Sequence, residues 1–141
     1  MVKWFFNKKE FIDITMKKPT NDILRKKLNS LEYKVTQKGA TEPPFSHNGY
    51  DKETKKFVCI CCDSVLFKIE DKFDSGSGWP SFTIPFSSTA ISEFSDESFG
   101  MIRTEVKCSK CSAHLGHVFE DGPKPTGLRY CINGVAIKGV K

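Results

Sequence analysis

No run of the 141-residue chain approaches the roughly 18 consecutive apolar residues of a membrane span, so no transmembrane helix is expected. The opening, Met1-Val2-Lys3-Trp4-Phe5-Phe6-Asn7-Lys8-Lys9, is too short in apolar residues for a signal-peptide core, and no small-residue cleavage site follows it. The expectation is a cytoplasmic protein with no membrane partner. Glycine and proline are also scarce, seventeen in all, which excludes a fibrous or disordered chain. Internal repeats and low-complexity tracts are missing. At 38% hydrophobic residues, the chain suits one modest core and leaves little room for two. Its division is read as a basic N-terminal extension, residues 1–18, and a single domain, residues 19–141.

Excess charge is absent from most of the molecule. The net charge is +5, yet residues 1–40 carry ten Lys/Arg against four Asp/Glu, and residues 41–141 carry twelve against thirteen. A nucleic-acid surface would place its cations on the folded part. Here they sit on the N-terminal arm, which reads as a solvated helix face, so no nucleic-acid partner is expected.

Apolar spacing places a helix early: Leu24, Leu28 and Leu31 recur at i, i+4, i+7, with Thr20 or Asn21 as N-cap and Pro19 before it. Gly39 closes that region, and Thr41-Glu42-Pro43-Pro44-Phe45 reads as an extended linker. From about residue 55 the texture changes to short β runs. These are Phe57–Ile60, Val65–Ile69, Phe82–Ile84, Thr89–Ile91, Met101–Val106, Val118–Phe119, Arg129–Ile132 and Val135–Ile137. The predicted fold is therefore mainly β, with two small antiparallel sheets as a sandwich or barrel, preceded by helices.

Six cysteines stand at 59, 61, 62, 108, 111 and 131. Cys59-x-x-Cys62 and Cys108-x-x-Cys111 form two matched knuckles, each able to supply half of a tetrahedral zinc site with Zn–S bonds of about 2.3 Å. The knuckles lie 45 residues apart, so one structural zinc would cross-link distant hairpins. Redox dithiols or buried cysteines are the alternative. Cys61 is read as a bystander, because a Cys59-x-Cys61 bite would be cramped.

Cys131 is the remaining thiol. On a strand, Arg129, Cys131 and Asn133 share a face, and the guanidinium favours the reactive thiolate. A buried structural cysteine is the plainer reading. His114-Leu115-Gly116-His117 follows the second knuckle, on a loop the metal would anchor; its histidines are proton donors for a site or satisfied core residues. Trp79, among the glycines of Asp74-Ser75-Gly76-Ser77-Gly78-Trp79-Pro80, is either core or the wall of an apolar pocket.

Together these segments resemble the R-specific (B-type) methionine sulfoxide reductases, over nearly the whole chain from about residue 20. The likeness runs through Gly39–Phe45, Lys72–Phe82, Gly100–Val106, Ala113–Pro123 and Arg129–Asn133. It implies two small antiparallel sheets with N-terminal helices and a zinc site remote from the catalytic thiol. It implies that Cys131 is the nucleophile, surrounded by His114, His117, Asn133 and Arg129, with Trp79 against the substrate methyl group. Cys131 would take the sulfoxide oxygen as a sulfenic acid, with His117 as the acid. Oxidised proteins or peptides are the implied substrates, and a thioredoxin-like or other thiol is the implied reductant. Nothing requires more than a monomer. Ser77 departs from the pattern, standing where the family often has its resolving cysteine; the C-terminal Val135–Lys141 departs too. A zinc-ribbon nucleic-acid module and a zinc-bound interaction or chaperone protein are the rival readings; neither needs a reactive Cys131.

Overall fold

In the computed structural model, residues 19–47 and 49–141 are described. The extension expected at residues 1–18 lies outside them. Thr20 opens helix α1 (Asn21–Lys27), its side chain accepting from the Ile23 N–H at 3.3 Å. The single predicted helix is in fact two. Asn29 interrupts it with a capping box: its side chain accepts from the Glu32 N–H at 2.8 Å, and the Glu32 carboxylate accepts from the Asn29 N–H at 2.9 Å. Helix α2 (Ser30–Lys38) then ends at Gly39, whose φ of 72° is the left-handed conformation that glycine adopts without a Cβ clash. Leu24 and Leu28 are buried as the spacing predicts, but the new start turns Leu31 outward to 37% exposure.

Nine strands follow: β1 (Lys56–Cys59), β2 (Val65–Lys68), β3 (Lys72–Phe73), β4 (Ser81–Phe82), β5 (Ile91–Asp96), β6 (Arg103–Cys108), β7 (His114–Phe119), β8 (Arg129–Ile132) and β9 (Ile137–Val140). They form two antiparallel sheets, a three-stranded one in the order β9-β1-β2 and a six-stranded one in the order β3-β4-β8-β7-β6-β5. The predicted class, mainly β with two antiparallel sheets and N-terminal helices, is the one observed. No helix among the described residues is long and apolar enough to cross a membrane.

Three segments differ from their sequence reading. His114-Leu115-Gly116-His117 is the start of strand β7, not a loop. Its glycine is required by the neighbouring strand: a Cβ at position 116 would come within 2.0 Å of the Cys131 carbonyl oxygen. Strand β5 extends through the polar stretch Ser92–Asp96, because an edge strand paired only with β6 needs no alternating apolar face. The strand expected at Val135–Ile137 is a 3₁₀ turn, Gly134–Ala136, followed by β9. Buried Glu42 causes that change by accepting from the Gly134 and Val135 N–H groups at 2.7 and 2.9 Å. A cap from 92 residues away leaves no local pattern.

The sheets are joined by aromatic packing. Phe82 of β4 stacks on Phe67 of β2 with ring centres 4.3 Å apart, and meets Phe57 of β1 edge-on at 5.3 Å. All three are fully buried. Truncating a ring so enclosed costs about 3–5 kcal/mol.

Candidate active site and metal centre

The two knuckles are the turns of two hairpins in different sheets. In the β1–β2 turn the Cys59 N–H donates to the Ser64 carbonyl and the Asp63 N–H to the Cys59 carbonyl, both at 2.9 Å. The β6–β7 turn repeats this between Cys108 and Ala113 at 2.9 Å, and between Ser112 and Cys108 at 2.8 Å. Asp63 and Ser112 occupy matching left-handed positions, with φ of 65° and 66°. Each turn thereby points its two sulfurs toward the other's.

The four sulfurs of Cys59, Cys62, Cys108 and Cys111 all lie within 4.8 Å of one another. Two of the cross-knuckle separations, Cys59 to Cys111 and Cys62 to Cys108, are 3.6 Å. A tetrahedron with metal–sulfur bonds of about 2.3 Å has edges of roughly 3.8 Å, so the group can hold a metal ion of zinc's size and preference. Cys61 occupies the turn position that Lys110 has in the second knuckle. It is buried instead against the helices: its carbonyl accepts from Lys27 Nζ at 3.1 Å, and its sulfur lies 3.5 Å from Gln37 Nε2.

Cys131 sits in a different setting, midway along β8. Its cross-strand neighbours are Ser81 on β4 and His117 on β7. It opens into a pocket of about 110 Å³ lined by Thr41, Trp79, Arg103, Gly116, His117, Phe119, Cys131 and Asn133. Trp79 is fixed by its indole N–H, which donates to the Glu42 carbonyl at 3.0 Å. Phe119 is held under the Arg129 guanidinium, 4.5 Å from its ring centre.

Burial pushes the Cys131 thiol up from the ordinary cysteine range, while the Arg129 charge and the Ser77 hydroxyl draw it down. The effect expected of Arg129 is therefore present, but desolvation outweighs it. Arg129 itself does not line the pocket. Its side chain makes a forked pair with Asp121, at 2.9 and 3.1 Å, and acts on Cys131 as a nearby charge.

The other sequence-predicted residues divide. Trp79, His117 and Asn133 line the pocket, and His114 does not. His117 Nε2 lies 2.8 Å from Asp96 Oδ2. Asn133 lies beyond the end of β8 and spends both ends of its amide on backbone. Its oxygen accepts from the Glu42 N–H at 2.9 Å and its nitrogen donates to the Leu115 carbonyl at 3.0 Å. His114 lies against His117, ring centres 5.6 Å apart, with Nδ1 2.6 Å from Glu105 Oε2. Burial lowers its affinity for a proton, and Glu105 opposes that.

Four residues of the site went unmarked in the sequence. Thr41, Arg103 and Phe119 line the pocket, and Asp96 braces it from the edge strand. Arg103 lies in a recognised segment, but only the registers of β5, β6 and β7 show that its side chain reaches the cysteine's pocket.

With this geometry in place, comparison with known proteins is direct. The SelR domain model matches residues 28–141. A curated relative from Thioalkalivibrio sulfidiphilus, named peptide methionine sulfoxide reductase MsrB, is 57% identical over 84% of this chain and 87% of its own length. Proteins of the same name from Hahella chejuensis and Bradyrhizobium diazoefficiens are 51% and 55% identical, each over 81% of this chain and 83% of the relative. The chain thus belongs to the SelR-domain family of MsrB peptide methionine sulfoxide reductases.

Proposed function

We propose that this chain reduces the R epimer of methionine sulfoxide, mainly in oxidised proteins and peptides, with Cys131 as the nucleophile. The observation that carries the reading is a half-buried thiol at the floor of a small pocket with aromatic walls and an imidazole one strand away. The Cys131 thiolate attacks the sulfoxide sulfur while His117 delivers a proton to the oxygen. Cysteine thiolate, sulfoxide and one proton give cysteine sulfenic acid and the thioether; the oxygen moves to Cys131 as the substrate S–O bond breaks. Trp79 and Phe119 enclose the methyl group, which favours the substrate's apolar end at the floor. Arg129 supports the thiolate through space, and Asn133 ties the end of β8 to Glu42 and Leu115. His114 backs the His117 ring.

A thioredoxin-like or other thiol then attacks the sulfenic acid, releasing water and leaving a mixed disulfide. A second thiol of the reductant frees Cys131. No second cysteine stands beside Cys131 to resolve it: Ser77 contributes a hydroxyl, and Cys61 is enclosed in the first knuckle. Zinc held by Cys59, Cys62, Cys108 and Cys111 would tie the two hairpin turns together and supply stability rather than chemistry. The fit of the four sulfurs to a tetrahedron supports this assignment. A monomer with domain 19–141, basic extension 1–18 and free thiols suits a reducing cytoplasm.

Mass analysis of the reduced protein after mixing with racemic methionine sulfoxide, without reductant, tests the reading. One oxygen atom gained on Cys131, with only the R epimer consumed, is the expected result. An unmodified Cys131, or equal loss of both epimers, overturns it.

A further inference from the structure

The edge strand β5 gives the core only its first residue, Ile91, yet its far end reaches the candidate active site. Asp96, its last residue, is the direct cross-strand partner of Arg103, the first residue of β6. One oxygen of that carboxylate, Oδ2, lies 2.8 Å from His117 Nε2 and 3.3 Å from an Arg103 terminal nitrogen. The other, Oδ1, accepts from the Ser98 N–H at 3.0 Å, which holds the carboxylate plane still. Both His117 and Arg103 line the pocket above Cys131. Arg103 also has a buried Nε with no partner among the described residues.

Resting on the reductase reading above, we infer that Asp96 is a positioning residue, gathering His117 and Arg103 on one carboxylate oxygen so that both serve the sulfoxide oxygen. A carboxylate only accepts hydrogen bonds, so His117 Nε2 must be the nitrogen that donates to it. The proton exchanged with the substrate is then the one on Nδ1, and it exists only in the imidazolium form. The hydrogen bond from His117, with help from Ser98 and the Arg103 charge, keeps the Asp96 carboxyl well below the usual carboxylate range. Arg103 stays charged at every working pH. The remaining groups near His117 are Glu105, its cross-strand partner on β6, His114 on its own strand, and Cys131 on β8. Among them Asp96 is the only carboxylate that meets the His117 ring within hydrogen-bond distance.

Asp96→Asn tests the assignment, because an amide can keep the Ser98 turn while presenting NH₂ to His117 and Arg103. Nitrogen NMR of the reduced wild type above the His117 pKa should place the neutral ring's proton on Nε2. In Asp96→Asn it should move to Nδ1. Turnover should fall about 10- to 100-fold with KM for free methionine sulfoxide changed less than threefold. The alkaline limb of the kcat profile should move to lower pH, because a neutral amide replaces the carboxylate that faces the ring. Asp96→Glu should recover part of the rate and return the limb upward. A wild-type neutral His117 protonated on Nδ1 overturns the inference, as does an Asp96→Asn pH profile that superimposes on the wild type's. The wild-type NMR measurement decides the matter even where the variant folds poorly. Lack of sulfoxide turnover by the wild type would instead remove the reductase reading and leave the tautomer result standing.

Discussion

The two cysteine sites are both made by antiparallel hairpins, yet they use opposite parts of them. Cys59 and Cys108 end strands β1 and β6, and Cys62 and Cys111 lie in the turns that follow, where a left-handed residue bends the chain and aims two sulfurs the same way. Cys131 occupies the middle of a strand, where its partners come from β4 and β7 rather than from its own neighbours. In the first site sulfur is surrounded by sulfur, an arrangement that suits a closed ion site. In the second a single sulfur faces a pocket with indole, phenyl, imidazole and guanidinium groups. A turn builds a ligand set from local spacing, whereas a strand centre acquires its chemistry from register. The proposed function accordingly makes the first a stability device and the second a reactive one.

The sharpest way to break this contrast is to remove the lone sulfur. Cys131→Ser should cut kcat/KM by at least about 10⁴, a barrier increase of roughly 5 kcal/mol, while the melting temperature and metal content stay near wild type. Loss of only tenfold, about 1.4 kcal/mol, would show that the nucleophile is elsewhere. Removal of a turn sulfur should do the reverse. Cys62→Ala or Cys108→Ala should release the bound metal, measured by atomic emission, and cost several kcal/mol of folding free energy in denaturant titrations. His114→Ala and His117→Ala should retain the metal; a stoichiometric loss in either would join the two sites that the contrast separates.

Ser77 offers a way to sharpen it. Wild-type protein treated with substrate alone should accumulate a Cys131 sulfenic acid trappable by dimedone, with Cys61 still free. Ser77→Cys should place a second thiol near Cys131 and divert the product to a disulfide between positions 77 and 131, seen as a dimedone-resistant mass two hydrogens lighter than the reduced chain. A disulfide between Cys61 and Cys131 in the wild type would mean that the first knuckle opens during turnover. A smaller effect is expected at the pocket wall. Trp79→Ala should raise KM or lower kcat by roughly tenfold, in keeping with about 1–2 kcal/mol of lost apolar contact, without changing metal content.

The smallest effect concerns ionisation. Since burial pushes the Cys131 thiol up, its alkylation by iodoacetamide should keep rising with pH beyond the range where a free cysteine, near 8.5, levels off. Arg129→Met removes a charge that draws the thiol down, so the alkylation midpoint should move to still higher pH. A midpoint that moves down instead would mean that Arg129 acts on Cys131 through packing alone.

Spacing made the turn site fully legible. Two C-x-x-C turns are enough to bring four sulfurs together, because four residues can bend a chain and aim two sulfurs. The helix caps at Thr20 and Gly39, the mainly β texture and the loop around Trp79 are likewise local in origin. The second helix start is local too: Asn29 and Glu32 carry a capping-box pattern, but the i, i+4, i+7 leucines masked it. Cys131 stood out through its neighbours Arg129 and Asn133, and the Arg129 charge draws the thiol down as expected, but the hydrogen bonds of both neighbours lie elsewhere. Arg129 is tied to Asp121, and Asn133 is consumed by backbone.

What the amino-acid order determined by itself was every feature set within a few residues: caps, knuckles, strand-forming runs and the presence of a spare thiol. The tertiary structure alone decided which groups meet that thiol. The cross-strand registers put Asp96 beside Arg103 and bring His117 next to Cys131, while β5 and β6 carry Arg103 to the pocket. Glu42 reaches across 92 residues to turn an expected strand into a 3₁₀ cap. These contacts depend on pairing between segments far apart in the chain, and a one-residue slip in register would send each side chain to the opposite face. Local composition carries no record of that choice.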